Sequence, residues 1–232
     1  MDNAEAYLEL GIGKHESGGV YICKDNYLMD KFTSYSQKQL AANAEALAEL
    51  QKKLAEKGIS VSTMLVPVAA QVLSDKLPAY APVADYAAIL KVLSDAGVNV
   101  TDIMSILAAH SDEAIYYRTD HHWTALGAYH AYERFCEASG QTAASLDSFK
   151  KVTYKNFHGS FYRDTKSTAL KNHPDKIVAY IPPSTNDISI TNMDGSKMDW
   201  NIITDVSTWN STAKYSTFIG GDNPFSVVKN PK

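Results

Sequence analysis

Residues 36–67 read SQKQLAANAEALAELQKKLAEKGISVSTMLVP, and the fold class depends on how this stretch divides. Leu40, Ala44, Leu47, Leu50 and Leu54 fall on one stripe at helical spacing. Ser36 stands where a capping side chain belongs, the last turn is lysine-rich, and Gly58 follows it. The spacing therefore predicts an amphipathic helix over Gln37–Lys57. Ile59–Val66 is mostly apolar or β-branched and stops at Pro67, which predicts a short strand. Helix, glycine, strand is the rhythm of a sheet flanked by helices.

The rhythm repeats downstream. Asp85–Asp95 carries Ala87, Ile89, Leu90 and Leu93 at helical spacing and is stopped by Gly97, with Val98–Thr101 as the next strand. Asp102–His110 reads as a short helix, Ala114–Tyr117 as a strand, and Thr124–Ser139 as a third long helix closed by Gly140. Upstream, Val20–Cys23 and Tyr27–Met29 around Lys24-Asp25-Asn26 read as a hairpin. Beyond about Gln141 helical periodicity gives way to Ser, Thr, Asn and Asp. Strands are predicted there at Val152–Asn156, Ile177–Ile181, Ile188–Thr191, Ile202–Val206, Tyr215–Ile219 and Ser226–Lys229. The fold class read from this is α/β: one domain over 1–232, with an α/β core at 18–140 and a β-rich elaboration at 141–232.

Composition narrows the function classes. A net charge of −4 with no basic cluster argues against nucleic acid, which needs a concentrated Lys/Arg face. The longest apolar runs, such as Met64–Ala70, are far short of the ~20 residues that a spanning helix requires. Cys23 and Cys136 match no metal-ligand spacing and read as two buried or half-buried thiols.

One stretch carries chemistry: Tyr116-Tyr117-Arg118-Thr119-Asp120-His121-His122-Trp123-Thr124. It lies at the carboxyl end of a predicted strand, the edge of an open α/β sheet where ligands bind. Asp120 and His122, two apart, point to one side of an extended turn. A carboxylate accepting from one imidazole nitrogen frees the other to act as a base. Trp123 is large enough to wall such a site. The plainer alternative is a helix-capping cluster, with Thr119 or Thr124 as the cap. A metal site on His121 and His122 is disfavoured, because consecutive side chains diverge and the sequence places no third ligand beside them. His130 reads as surface or interhelical.

Continued by Ala125-Leu126-Gly127-Ala128, this block resembles the signature of the bacterial DHHW protein family, named for Asp-His-His-Trp. The resemblance extends to Gly18–Ile22, Asp25–Leu28, Leu65-Val66-Pro67, Phe157–Tyr162 and Phe218–Pro224, most of the chain. That family is similar in turn to SGNH-hydrolase-like proteins that O-acetylate exported polysaccharides such as alginate. The resemblance implies a three-layer α/β/α SGNH-hydrolase-like sheet with flanking helices. It also implies that Asp120 is the orienting acid and His122 the general base of a Ser-His-Asp triad. His121 falls on the variable position and inherits no role. With Tyr117, Arg118 and Trp123 it is expected to line the substrate site.

The serine is where the chain departs from the pattern. In those relatives it follows in a short Gly/Lys-Asp-Ser block after a buried strand, whereas Asp147-Ser148 lies in a polar stretch and Gly221-Asp222-Asn223 has asparagine where serine would be needed. Ser160 reads as a turn residue and Ser226 as a strand residue. The expectation is a portion of a longer, extracytoplasmic protein, inactive alone, with any membrane attachment through segments outside it. The expected activity is that of an esterase or O-acetyltransferase on cell-envelope carbohydrate. Its partners would be an envelope polysaccharide or an acyl donor protein, without cofactor, metal or nucleic acid. The alternatives are a non-catalytic polysaccharide- or protein-binding module and, more weakly, a metal-dependent hydrolase on His121 and His122.

Overall fold

The computed structural model describes residues 15–165 and 168–228. Three short antiparallel strands open it: β1 (Glu16–Ser17), β2 (Val20–Ile22) and β3 (Leu28–Asp30). The predicted hairpin is therefore present, and Asp25 and Asn26 turn it with positive φ. Helix α1 (Gln37–Ala55) follows, with the Ser36 hydroxyl accepting from the Gln39 N–H at 3.2 Å. Its stripe packs through Ala44 against Leu93 and Val98, next to α3 (Tyr86–Asp95), which Asp85 caps at the Ala88 N–H. Between them lies the single turn α2 (Ala69–Val72). The helices α4 (Met104–Ala109) and α5 (Ala125–Ala138), the latter capped by Thr124, complete the first half. Leu73, Ile103, Leu107, Ile115 and Met29 form its fully buried centre.

The fold is mixed α/β, but the strands expected between the helices are not regular strands. Residues 59–66 and 98–101 do run parallel, joined at Thr63 and Val100 by bonds from Thr63 N–H to Asn99 O and from Thr101 N–H to Thr63 O, both 2.9 Å. The pairing stops there. Ile59, Met64 and Val66 are exposed, so the segment buries too little on either face to hold a longer ladder. Residues 114–117 likewise make one bridge, Tyr116 to Trp123, in place of a strand.

The second half is built on two antiparallel sheets. β4 (Lys150–Phe157) pairs with β5 (Asp175–Ile181), with a bulge between Tyr154 and Phe157 that brings Phe157 opposite Asp175. Asn156 takes a positive φ in that bulge. β6 (Asp187–Thr191) pairs with both β7 (Lys197–Asn201) and β8 (Phe225–Val227). Two predicted strands, Ile202–Val206 and Tyr215–Ile219, are replaced by one bridge, Ile203 to Phe218, and a 3-10 turn at Lys214–Thr217. Side chains take the backbone groups instead. Asn186 bonds both the N–H and the carbonyl of Ile203, and the Thr217 hydroxyl bonds Thr204 O. β7, with a mostly exposed Lys-Met-Asp-Trp-Asn sequence, carries no strand signal. Lys229, the last residue of the predicted strand Ser226–Lys229, lies outside the described residues. Both cysteines are unpaired thiols, Cys136 buried and Cys23 half-buried, and burial pushes the Cys23 thiol up to about 12.

Gly127 positions α5. A Cβ there would lie 2.5 Å from the Ile115 carbonyl oxygen, the same oxygen that accepts the Thr124 N–H at 2.8 Å. Gly127→Ala is therefore expected to destabilise the protein despite alanine's better helix propensity. The cost is about 1–3 kcal/mol, or roughly 2–4 °C per kcal/mol in a thermal melt. An unchanged or raised Tm would show that α5 can move off Ile115 freely.

Candidate active site

The loop between Ile115 and Thr124 has no regular structure of its own, so other elements must hold it. Asp175, at the head of β5, does most of this. Its Oδ2 accepts from the N–H groups of Arg118 (3.0 Å) and Thr119 (2.8 Å) and from the Thr119 hydroxyl (2.7 Å). Its Oδ1 takes the Arg118 guanidinium Nε at 3.1 Å. The Leu28 N–H of β3 bonds Arg118 O, and the Tyr162 N–H bonds Thr119 O. The loop is thus fixed from three sides. Helix α6 (Ser160–Thr165) begins beside it, where the Gly159 N–H bonds the Thr119 hydroxyl at 3.0 Å.

Asp120 is buried at the centre. Its Oδ1 accepts from the His122 N–H (3.0 Å) and faces His122 Nδ1 at 2.5 Å, and its Oδ2 accepts from the Ser160 N–H at 2.8 Å. Burial pushes the Asp120 carboxyl up, but the hydrogen bonds from the His122 ring and from the Ser160 and His122 N–H groups outweigh it and hold the group at about 2. Asp120 is thus ionised at neutral pH. With Nδ1 on Asp120, His122 keeps Nε2 for a proton arriving from outside. Its ring stacks on Tyr215, centroids 4.0 Å apart. Burial, with Asp120 and Asp222 nearby, raises the Tyr215 phenol to about 12.

His121 goes to a different partner. Its Nδ1 meets the Ser160 hydroxyl at 2.7 Å, and its ring is about half exposed. Ser160, read from sequence as a turn residue, is thus the first residue of α6, with its hydroxyl on a histidine and its N–H on Asp120. Asp120, His121 and His122 do offer ligand atoms within 4.8 Å of one another, closer than consecutive side chains suggest. Both Asp120 oxygens are already engaged by N–H donors, so this trio fits a hydrogen-bonded relay better than a cation site.

Trp123 and Tyr215 border an apolar cavity of about 530 Å³ whose walls also include Tyr129, Tyr132, Leu146 and Phe218. Arg118 and Tyr117 face a different cavity of about 660 Å³, together with Asp175. Tyr117 is buried edge-on to Phe157 and Tyr215, and its hydroxyl is without a hydrogen-bond partner among the described residues. Asp175, Gly159 and Tyr215 escaped the sequence reading. Only Gly159, inside His158-Gly159-Ser160, carried a local signal: a Cβ there would overlap the Asp120 side chain and backbone.

Two outcomes follow from this geometry. Removing Asp175 leaves the buried N–H groups of Arg118 and Thr119 without an acceptor, so Asp175→Ala is expected to cost ~2–5 kcal/mol in denaturant unfolding. A loss under ~1 kcal/mol would mean that the loop does not depend on this clamp. The second outcome concerns pH. The Asp120 carboxyl is held at about 2 against an ordinary 3.8. Its contribution of about 2 kcal/mol is therefore complete above pH ~4 and is lost as pH falls through about 2. Unfolding at pH 7, 4 and 2 should show this acid-sensitive portion in the native protein and its disappearance in Asp120→Asn.

Comparison with known proteins adds to the geometry. No curated protein matches the chain. A DHHW family protein from Eubacterium siraeum is 28% identical, with a TM-score of 0.72, over 89% of this chain and 69% of that one. Bacillus cereus PatB1 with a sulfonyl adduct is 19% identical, TM-score 0.72, over 93% of this chain and 75% of that one. The O-acetyltransferase domain of Pseudomonas putida AlgJ is 17% identical, TM-score 0.56, over 86% and 73%. At such identities PatB1 and AlgJ speak to the fold alone. The family model for DHHW protein matches residues 11–232, with the Asp120–Trp123 tetrapeptide seated at the candidate site, and the chain belongs to the DHHW protein family.

Proposed function

We propose that this chain carries the acid–base half of a serine acyl-transfer site, in an esterase or O-acetyltransferase acting on cell-envelope carbohydrate outside the cytoplasm. The observation that carries the reading is the bond between buried, ionised Asp120 and His122 Nδ1, which leaves Nε2 as the basic nitrogen. A serine hydroxyl would give its proton to Nε2 as its oxygen bonds the acyl carbon. The departing alcohol would then take that proton from the imidazolium, and water or a sugar hydroxyl would receive the acyl group in the second half-reaction. The negative charge of Asp120 stabilises the imidazolium between the two steps. The reading takes the nucleophilic serine from outside the described residues, because the hydroxyl of Ser160 is bonded to His121 and not to His122.

Two further facts support it. The aromatic cavity beside Trp123 and Tyr215 suits the apolar faces of sugar rings. Of the structural neighbours, AlgJ is named for an O-acetyltransferase domain, and PatB1 accepts a sulfonyl adduct. Among the described residues no helix is long and apolar enough to cross a membrane.

A second reading, a non-catalytic module that binds polysaccharide or protein, is favoured by one observation. The His122 ring lies against Tyr215, and among the described residues no serine hydroxyl reaches it. Hydrolysis of a chromogenic acetyl ester, together with mass mapping of a sulfonyl fluoride label, separates the two. The assay would use this chain, both alone and in whatever longer protein its gene encodes. The acyl-transfer reading expects turnover and serine labelling that drop about 10²–10⁴-fold in His122→Ala. A label on Ser160 that survives His122→Ala would overturn the assignment of His122. Absence of His122-dependent reaction in both proteins, with retention on immobilised polysaccharide, would establish the binding module.

A further inference from the structure

A second histidine cluster lies away from the candidate active site. His110 caps the end of α4, Glu113 follows in the next turn, and His130 is in the second turn of α5. His110 Nδ1 meets Glu113 Oε1 at 2.7 Å, and His130 Nε2 meets Glu113 Oε2 at 3.3 Å. The two imidazoles stack with centroids 3.7 Å apart and planes within 11°. His130 is buried, whereas His110 and Glu113 are part-exposed, so the group is walled by protein on one side and open to solvent on the other.

We infer that His110, Glu113 and His130 form a binding site for a divalent transition metal of the zinc type. Three donors of the right kind converge: two imidazole nitrogens and a carboxylate oxygen, all within 4.8 Å of one another. Imidazole and carboxylate are the mixed donor set that zinc takes, with bonds near 2.0–2.2 Å and an open position left to water. The arrangement around the donors also fits. His130 turns its other nitrogen, Nδ1, to Glu133 Oε2 at 3.0 Å, one helical turn along α5. A carboxylate behind a ligating histidine fixes its tautomer and raises the basicity of the nitrogen facing the metal. The same exposure that lets solvent reach His110 and Glu113 gives an ion its way in.

The competing explanation is a proton-bridged His–Glu–His cluster that serves packing alone. The geometry separates them by what must move. Parallel rings 3.7 Å apart cannot both aim a lone pair at one ion, so metal binding must tilt them apart. The site joins the end of α4 to α5, the helix that begins three residues after His122, and metal would therefore stiffen the entry to the candidate active site. This inference does not depend on the proposed acyl chemistry.

The test is calorimetric titration of ZnCl₂ into chelator-stripped protein in a His121→Ala/His122→Ala background, which removes the other histidine cluster. The expected result is one saturable site per chain and a Tm that rises by several degrees with zinc. Binding should weaken at least tenfold in His110→Ala or Glu113→Gln, both part-exposed positions that should tolerate change. It should weaken by about ten- to a hundredfold in Glu133→Gln, which leaves all three ligands in place. Histidine NMR signals of both rings should shift together on addition of zinc. No saturable binding in that background, or binding untouched by His110→Ala and Glu113→Gln, would overturn the site and leave the proton-bridged cluster as its explanation.

Discussion

The candidate site depends on one carboxylate that lies outside the Asp120–His122 pair. Asp175 accepts two backbone N–H groups, a hydroxyl and a guanidinium N–H from the consecutive residues Arg118 and Thr119. A loop without helix or strand must place its polar backbone groups somewhere, and burial removes water as an option. The head of β5 supplies that acceptor. Because the bulge in β4 sets Phe157 opposite Asp175, the same stretch of sheet also delivers Gly159 and Ser160 to the other side of the loop. The position of Asp120 is therefore set by sheet register more than by the loop's own preferences.

Within that frame, neighbouring histidines are given opposite surroundings. His122 faces a buried anion held at about 2 and lies against a tyrosine ring, which fixes one nitrogen and orients the other. His121 turns toward a serine at the mouth of α6 and stays half exposed. The two rings are only 3.8 Å apart and similarly exposed, so what separates them is the partner, a buried carboxylate for one and a hydroxyl for the other. This contrast supports giving the base role to His122, and the Asp-x-His spacing pointed the same way.

What the sequence made legible was local. Caps and stops of helices lie within four residues of what they act on, so Ser36, Thr124, Gly58, Gly97 and Gly140 marked ends of α1, α3 and α5 to within two residues. Asp120 and His122 were legible for the same reason. Residues 59–66 and 98–101 were read as strands because they are apolar and β-branched, yet a strand needs a partner along its length and a face to bury, which no local pattern encodes. Tyr215 was placed in a strand, whereas a 3-10 turn aims it at His122. His130, read as surface or interhelical, is interhelical, lying between α5 and the end of α4, where His110 and, 17 residues earlier, Glu113 of the following turn reach it. Asp175 was invisible because its partners lie 56 and 57 positions away.

Those sequence separations also govern the order in which the site comes into being on the ribosome. The Asp-His-His-Trp segment leaves the exit tunnel well before the residue that clamps it. At ~5–20 residues per second, the 55 positions from Asp120 to Asp175 take roughly 3–11 seconds to synthesise. Throughout that interval the Asp175 carboxylate does not yet exist, and water must serve the N–H groups of Arg118 and Thr119 in its place. Contacts of such long range form late in any case. The final set of that loop therefore awaits the synthesis of β5 and its pairing with β4.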